Sequence, residues 1–322
     1  MARILVAGET LIDFIPDERG PLHAVETFHR RAGGAPANVA VGLARLDVLP
    51  LFWTRVGDDP FGDHLVETLT DEGIAADLLE RDPDATTSLV FVSLDPDAER
   101  SFSFHRDGTA DTRLQPGSIS DESLSAVGWV HTGGVTLADE PSREATFDLM
   151  ARASDDAVVS FDPNARPELF DEFDFGDSCL RAFAAADVVK ATAEDLIAAD
   201  MVDEDADDED APTLARTVCA AGPHTALVTR GADGSLARAE PSAPWNPTDE
   251  PIVVEHGGYA VDHVDTTGAG DAFTAGAIAA LSAGESLADA LAFSNAVAAL
   301  ATTAKGAMTA LPTRSEATAL RE

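Results

Sequence analysis

The stretch DTTGAGDAFTAG, residues 265–276, packs three glycines and two aspartates into the start of an apolar run. Gly268 and Gly270 let the backbone turn tightly, because a residue without Cβ enters the left-handed region at little cost. The amides of residues 268–271 then face outward at the beginning of a helix, where the macrodipole favours negative charge. Such a turn can hold an anion. Asp271 stands at its mouth, where a carboxylate would repel a resting phosphate. It gains a purpose if it takes the proton of an attacking hydroxyl while the amides hold a phosphoryl group in transfer. A capping aspartate beside a glycine turn has the same local sequence, so the rest of the chain has to decide.

Outward from that stretch, apolar strand-length runs alternate with helix-period segments. Core strands are expected at residues 4–8, 51–56, 129–132, 158–162, 188–191 and 226–229. Between them Val39, Leu43 and Leu46 recur on one helix face, as do Phe61, Leu65 and Leu69. The alternation predicts an α/β fold, a doubly wound and mainly parallel sheet sandwiched by helices. Residues 86–106 alternate like a hairpin around the turn DPDAE (95–99), and LIDFIP (11–16) and ETFHRR (26–31) can pair with it. The expectation is a single domain over residues 1–322, with a small β-sheet lid formed by discontinuous segments at about 10–31 and 86–108. A lid belongs over the carboxyl ends of the core strands, where doubly wound sheets bind ligands.

Charge narrows the partners. The chain carries 58 Asp+Glu against 21 Lys+Arg, a formal net charge of -37, which argues against nucleic-acid and anionic-membrane partners. Only Lys190 and Lys305 are lysines. The acidity runs along the whole chain, with VDEDADDEDAP (202–212) read as a solvated loop. Self-repulsion at this charge is screened at ~1 M salt, where the Debye length is about 3 Å, so a halophilic cytosol explains the balance. ARILVAGE (2–9) reads as a buried strand and not as a signal peptide. No apolar run reaches the roughly 18 residues of a spanning helix. Cys179 and Cys219 stand apart, as reduced core thiols do. A cytoplasmic protein is expected.

A second glycine stretch, RRAGGAPANVAVGLARL (30–46), leads into a helix with Gly33 and Gly34 as a hinge and Asn38 on the first turn. Asn38 offers donors and an acceptor to a polyol, or caps the helix. Asp13 in GETLIDF can accept two sugar hydroxyls, or lie in an exposed turn. TRGADG (229–234) reads as a phosphate-cradling turn or, taken alone, as a hairpin. Neither GxxxxGK[ST] nor GxGxxG occurs, so the P-loop and dinucleotide fingerprints are missing.

Together these motifs closely resemble the ribokinase-like (pfkB) family of carbohydrate kinases. GGAPANVAVGLARL (33–46) is similar to its first signature and DTTGAGDAFTAGAIAAL (265–281) to its second, and the match runs in family order from Gly8 to Pro312. The resemblance implies an α/β core with a β lid, ATP as donor, Mg2+, and phosphorylation of a sugar hydroxyl. It implies Asp271 as the catalytic base, with Gly268, Ala269 and Gly270 as the anion hole. Asp13, Gly33, Gly34 and Asn38 then form the sugar-binding set. On the nucleotide side it implies Lys190 near the phosphates, Thr229, Gly231 and Gly234 in a TxGxxG turn, and Asn295 at the adenine pocket. The family's NxxE pattern, whose glutamate helps to order magnesium, is TAED here, with Thr192 for Asn and Asp195 for Glu. Asp265 and Thr267 match residues whose carbonyls hold a monovalent cation, which in a potassium-rich cytosol is K+. The resemblance also allows a homodimer through the lid.

Within the family, residues 99–111, 131–146, 161–170 and 302–313 look most like fructokinases. Arg106 from the lid and Arg166 after DPN then reach towards the sugar or the transferring phosphate, with surface salt bridges as their alternative. The rival substrate is 2-keto-3-deoxygluconate, whose carboxylate also suits a lid arginine. A rival of another class is a non-catalytic sugar or nucleotide sensor, disfavoured by the intact anion hole and Asp271. An NAD-dependent oxidoreductase would share the sheet but needs the missing glycine fingerprint.

Overall fold

A computed structural model of the chain describes residues 3–94, 100–153, 156–207 and 210–322. The strands are β1 (Arg3–Ala7), β2 (Leu11–Pro16), β3 (Phe28–Gly33), β4 (Leu51–Gly57), β5 (Leu79–Asp82), β6 (Leu89–Leu94), β7 (Arg100–His105), β8 (Val127–Gly133), β9 (Val158–Asp162), β10 (Val188–Ala191), β11 (Thr225–Thr229), β12 (Ser235–Ala239) and β13 (Ile252–His256). The helices are α1 (Ala35–Arg45), α2 (Pro60–Asp71), α3 (Asp121–Leu124), α4 (Ser142–Arg152), α5 (Phe175–Ala185), α6 (Ala193–Ala198), α7 (Ala211–Ala220), α8 (Ala269–Ser282), α9 (Leu287–Ala301) and α10 (Arg314–Arg321).

The uninterrupted apolar run of β1 follows from burial on both faces. Ile4 and Val6 join a core with α1, α8 and α9, while Leu5 and Ala7 join Trp53, Val130 and Leu149 on the other side. Farther along the sheet, Val189 and Ala191 of β10 pack with residues of α5, α6 and α7. Nine strands form one sheet in the order β13-β12-β11-β10-β9-β8-β1-β4-β5. From β11 to β5 the neighbours run parallel. The chain leaves β1 for β4 and β5 on one side, then returns to β8 and β9 on the other. Strand order therefore reverses at β1, the place where such sheets open a crevice beyond their carboxyl ends.

Two features of the large sheet go beyond the sequence reading. The strands β12 and β13 extend it, β12 antiparallel to β11 and β13 antiparallel to β12, and TRGADG is the turn between β11 and β12. The acidic stretch 202–212 is only partly a loop, because Ala211 and Pro212 open α7 and Ala211 is buried. Proline suits a first helical turn, whose amides have no partner within the helix.

The small separate sheet has the order β3-β2-β6-β7. β3 pairs antiparallel with β2, β2 parallel with β6, and β6 antiparallel with β7. Ile12 of this sheet packs with Val56 and Leu65, which fixes it to β4 and α2. The expected turn at residues 95–99 lies outside the described residues.

The helix that carries GAGD is rigidly seated. Its Ala-rich sequence is buried from Ala272 to Leu281, and a Cβ on Gly276 would come within 2.8 Å of Ser294 Cα on α9. The close crossing leaves α8 little freedom to shift, so its N-terminus is a fixed point of the fold.

Candidate active site

Gly268 has φ +79 and precedes α8, and a Cβ there would lie 2.7 Å from Ala307 Cβ. Only glycine satisfies both conditions. The tight turn sets Asp271 in the first turn of α8, where Asn38 Nδ2 donates to its Oδ2 at 2.7 Å. Asn38 comes from α1, which follows Gly34 with φ +101, so both glycine-rich stretches meet at this hydrogen bond. A Cβ on Gly33 would fall 2.1 Å from Asp13 Oδ2. Glycine there gives the Asp13 carboxylate room to lie against the backbone.

These groups surround a cavity of about 200 Å³ at the strand carboxyl ends, walled by Glu9, Asp13, Asn38, Arg166, Lys190 and the turn Gly268–Asp271. Phe102 and Phe104 of β7 line its side towards the small sheet. Burial raises three carboxyls above their ordinary range. Asp271 rises to about 7, opposed by the Asn38 hydrogen bond and reinforced by the charge of Asp162. Asp13 also rises to about 7, with Arg166 opposing and Asp271 reinforcing. Glu9 rises to about 8, opposed first by a hydrogen bond to its own backbone and then by the charge of Arg106.

Lys190, at the end of β10, reaches the same cavity, and its Nζ lies 3.2 Å from Asp162 Oδ2. A Cβ on Gly270 would sit 3.3 Å from that Nζ, so glycine at 270 also keeps space for the ammonium. Burial works against the lysine charge, but Asp162 and then Asp195 override it and hold Lys190 above the ordinary lysine range. Arg166 stands 5.2 Å from the Phe102 ring centroid and donates to the Ala165 carbonyl.

Other expected residues lie elsewhere. Arg106 does not line the cavity, contrary to the expectation that it reaches for sugar or phosphate. Its Nε donates to Asp111 at 2.7 Å and Nη1 pairs with Asp139, and the side chain is 3% exposed. The buried Asp111 carboxylate wins the guanidinium because an unpaired charge in the interior is costly. Asp195 is likewise committed. Its oxygens accept from Ala165 N at 2.8 Å and Thr192 N at 2.9 Å, and with Thr192 it forms the capping box of α6. Neither Asp195 nor Thr192 walls the cavity.

Thr229, Gly231 and Gly234 form the β11–β12 hairpin turn, outside the cavity walls. Gly231 and Gly234 have φ +55 and +81. Asn295 on α9 donates to Ser235 Oγ and the Leu291 carbonyl, each at 2.7 Å. Asp265 accepts from Thr267 N at 3.0 Å and Gly306 N at 3.0 Å, tying the loop before GAGD to the turn that holds Ala307.

Sequence reasoning missed Glu9, Asp162, Phe102 and Phe104. Asp162 ends β9 and Glu9 lies two residues beyond β1, and a polar residue at the close of an apolar core strand is the signal that points to such positions. The phenylalanines carry no signal of their own, since any β-strand with a half-buried face has aromatics.

The arrangement can seat a polyol between Asp13 and Asn38, whose buried Oδ1 has no hydrogen-bond partner. It presents a carboxylate to one hydroxyl and amides to an anion beside it. The description "pfkB family carbohydrate kinase" applies to a family model that matches residues 1–314. The fructokinase of Vibrio alginolyticus is 38% identical over 328 residues, which cover 98% of each chain. Fructokinase of Xylella fastidiosa, solved with bound ATP, superposes with a TM-score of 0.83 at 34% identity, covering 99% of this chain and 97% of that one. A double mutant of Vibrio cholerae O395 fructokinase, solved with fructose, ADP and potassium ion, has a TM-score of 0.82 at 36% identity, covering 100% and 99%. The two signature stretches, the fold and the near full-length match agree: this chain belongs to the pfkB family of carbohydrate kinases.

Proposed function

We propose that this chain is an ATP-dependent fructokinase, a phosphotransferase acting on an alcohol group. The observation that carries the reading is Asp271 at the α8 N-terminus, bonded to Asn38 and facing the same cavity as Asp13. Asp13 and Asn38 orient the sugar. As the acceptor oxygen bonds to phosphorus and the bond to the leaving oxygen of the donor breaks, the hydroxyl proton passes to Asp271. The amides of Gly268, Ala269 and Gly270 and the ammonium of Lys190 stabilise the charge on the phosphoryl oxygens. Arg166 stands within the same cavity, where it can contact sugar or phosphate. Phe102 and Phe104 make the small sheet a lid that excludes water.

Bound ATP supplies the phosphoryl group, with the turn of Thr229, Gly231 and Gly234 and the neighbourhood of Thr192 and Asn295 as its expected seat. Magnesium, when bound with the nucleotide, would neutralise charge on its phosphates. Among the described residues no three His, Cys, Asp or Glu side chains converge on a metal position, and Asp195 would act through the cap it makes. Asp265 and Thr267 fit a loop held in shape for a K+ ion. The proposal extends to a cytoplasmic enzyme of a high-salt cell, and the family resemblance carries a homodimer through the lid.

ADP release in molar KCl, measured against fructose, 2-keto-3-deoxygluconate, ribose, adenosine and glucose with NMR of the product, tests the substrate. Fructose should be the best acceptor. A clear preference for 2-keto-3-deoxygluconate would replace the sugar and keep the kinase, whereas nucleotide binding without turnover on any acceptor would favour a sensor. Screening of the -37 charge should raise the melting temperature from dilute buffer to ~1 M KCl; an unchanged value would remove the high-salt reading.

A further inference from the structure

A second cleft, of about 310 Å³, opens between β3, α1, α2 and the turn at 306–309. Its basic side chains are Arg30, Arg31, Arg45 and His64, and its one acidic side chain is Glu72. Arg45 is already committed, with Nε 2.9 Å from Glu72 Oε2 and Nη1 2.7 Å from the Leu311 carbonyl. That pairing cancels Glu72. The Arg30 and Arg31 side chains are exposed and make no hydrogen bond or ion pair among the described residues. His64 is near enough to Arg30 for the guanidinium to add to burial in holding the imidazole below its ordinary range.

Among the described residues Arg30 and Arg31 stand side by side without a carboxylate partner, in a chain in which 58 acidic residues face 21 basic ones. Among the described residues nine arginines pair with carboxylates, Arg55, Arg81, Arg106, Arg152 and Arg230 among them, whereas Arg30 and Arg31 face the cleft. Guanidinium forks match the tetrahedral oxygens of phosphate. The cleft exceeds what one phosphate needs, and Ala32 and Met308 give it an apolar wall for a short carbon chain. We propose that the cleft is a second anion site that takes a small phosphomonoester and is coupled to the first cavity.

The coupling follows from shared parts. β3 carries Arg30 and Arg31 and continues into Gly33, over which the Asp13 carboxylate lies. Ala307 lines both cavities and packs against Gly268. A ligand bridging β3 and the 306–309 turn therefore ties the small sheet to the loop that supports the anion hole. By linkage, sugar in the first cavity strengthens the anion and the anion strengthens the sugar by the same factor. Only this coupling rests on the first cavity being the sugar site.

Calorimetry at constant ionic strength, with inorganic phosphate and glycerol 3-phosphate as probes, tests the site. Wild type should take up one more equivalent of glycerol 3-phosphate than Arg30→Gln/Arg31→Gln, or bind it at least tenfold more tightly, and Asp271→Asn should retain that extra site. Turnover without added anion should be the same in wild type and the double variant, and the probe should lower KM for sugar in wild type alone. Equal uptake by wild type and a folded double variant would overturn the site. Uptake of inorganic phosphate without the ester would overturn the ligand class. An unchanged sugar KM with binding intact would overturn the coupling, and because binding is read without turnover, failure of the fructokinase reading leaves a separate signature.

Discussion

At the proposed acceptor end of the site Glu9, Asp13, Asp162, Lys190 and Asp271 are gathered, and burial makes the carboxyls Glu9, Asp13 and Asp271 hold protons well above their usual range. At the proposed nucleotide end there are a hairpin turn and an asparagine whose amide is bonded within the fold. The first end gathers titratable side chains in the interior, and the second uses backbone shape. The difference shows where chemistry is concentrated. A proton acceptor has to be charged at the moment of reaction, whereas a nucleotide can be seated by amides and apolar walls.

The largest test of this contrast is Asp271→Asn. Asparagine can still accept from Asn38 and lie at the helix start, yet it cannot take the hydroxyl proton, so kcat should fall by about 10²- to 10⁴-fold while ATP affinity and melting temperature stay near wild type. Near-wild-type turnover would reduce Asp271 to a helix cap.

Lys190→Met comes next. It leaves Asp162 buried without its ion partner, and breaking such a pair from one side costs about 3–5 kcal/mol, read by denaturant unfolding. The double variant Lys190→Met/Asp162→Leu should recover much of that stability without recovering turnover. Full recovery of both would show that the pair serves packing only.

The elevated carboxyls make a pH prediction of definite sign. Glu9 has an ordinary value of 4.5 and a folded one of about 8, and Asp13 and Asp271 move from 3.8 to about 7. Between those limits the folded chain holds more protons than the unfolded chain, so these groups make stability fall as pH rises. Neutralising all three, in Glu9→Gln/Asp13→Asn/Asp271→Asn, should flatten the stability profile of the ligand-free protein from about pH 4 to pH 8. Turnover should run the other way in wild type, rising with an inflection near pH 7 as Asp271 loses its proton.

The smallest effect belongs to the nucleotide end. Asn295→Ala removes the donor to Ser235 Oγ and the Leu291 carbonyl, which should cost about 1–3 kcal/mol of stability. If Asn295 serves chiefly to fasten α9 to β12, KM for ATP moves little; a large rise in that KM with stability unchanged would place its side chain on the nucleotide.

GAGD and GGAPAN were legible because glycine spacing and helix polarity are local properties. Gly268 needs its left-handed φ whatever surrounds it, and the six expected core strands stand where their apolar runs are. The β12–β13 extension was harder to see, because SLARA and IVVEH are short and half-polar, as antiparallel strands near a sheet edge can be.

Local chemistry, read from sequence alone, thus determined the family, the parallel core and the turn that aims Asp271. Tertiary structure decided the partners of charged groups. Arg106 and Arg166 are both arginines near the end of a strand-like run, yet Arg106 is drawn into Asp111 and Asp139, while Arg166 stays at the cavity over Phe102. Asp195 and Asp271 are both acidic residues in the first turn of a helix, yet Asp195 caps α6 and Asp271 meets Asn38, 233 positions away in sequence. Electrostatic energy depends on distance and burial, which a one-dimensional order of residues does not contain.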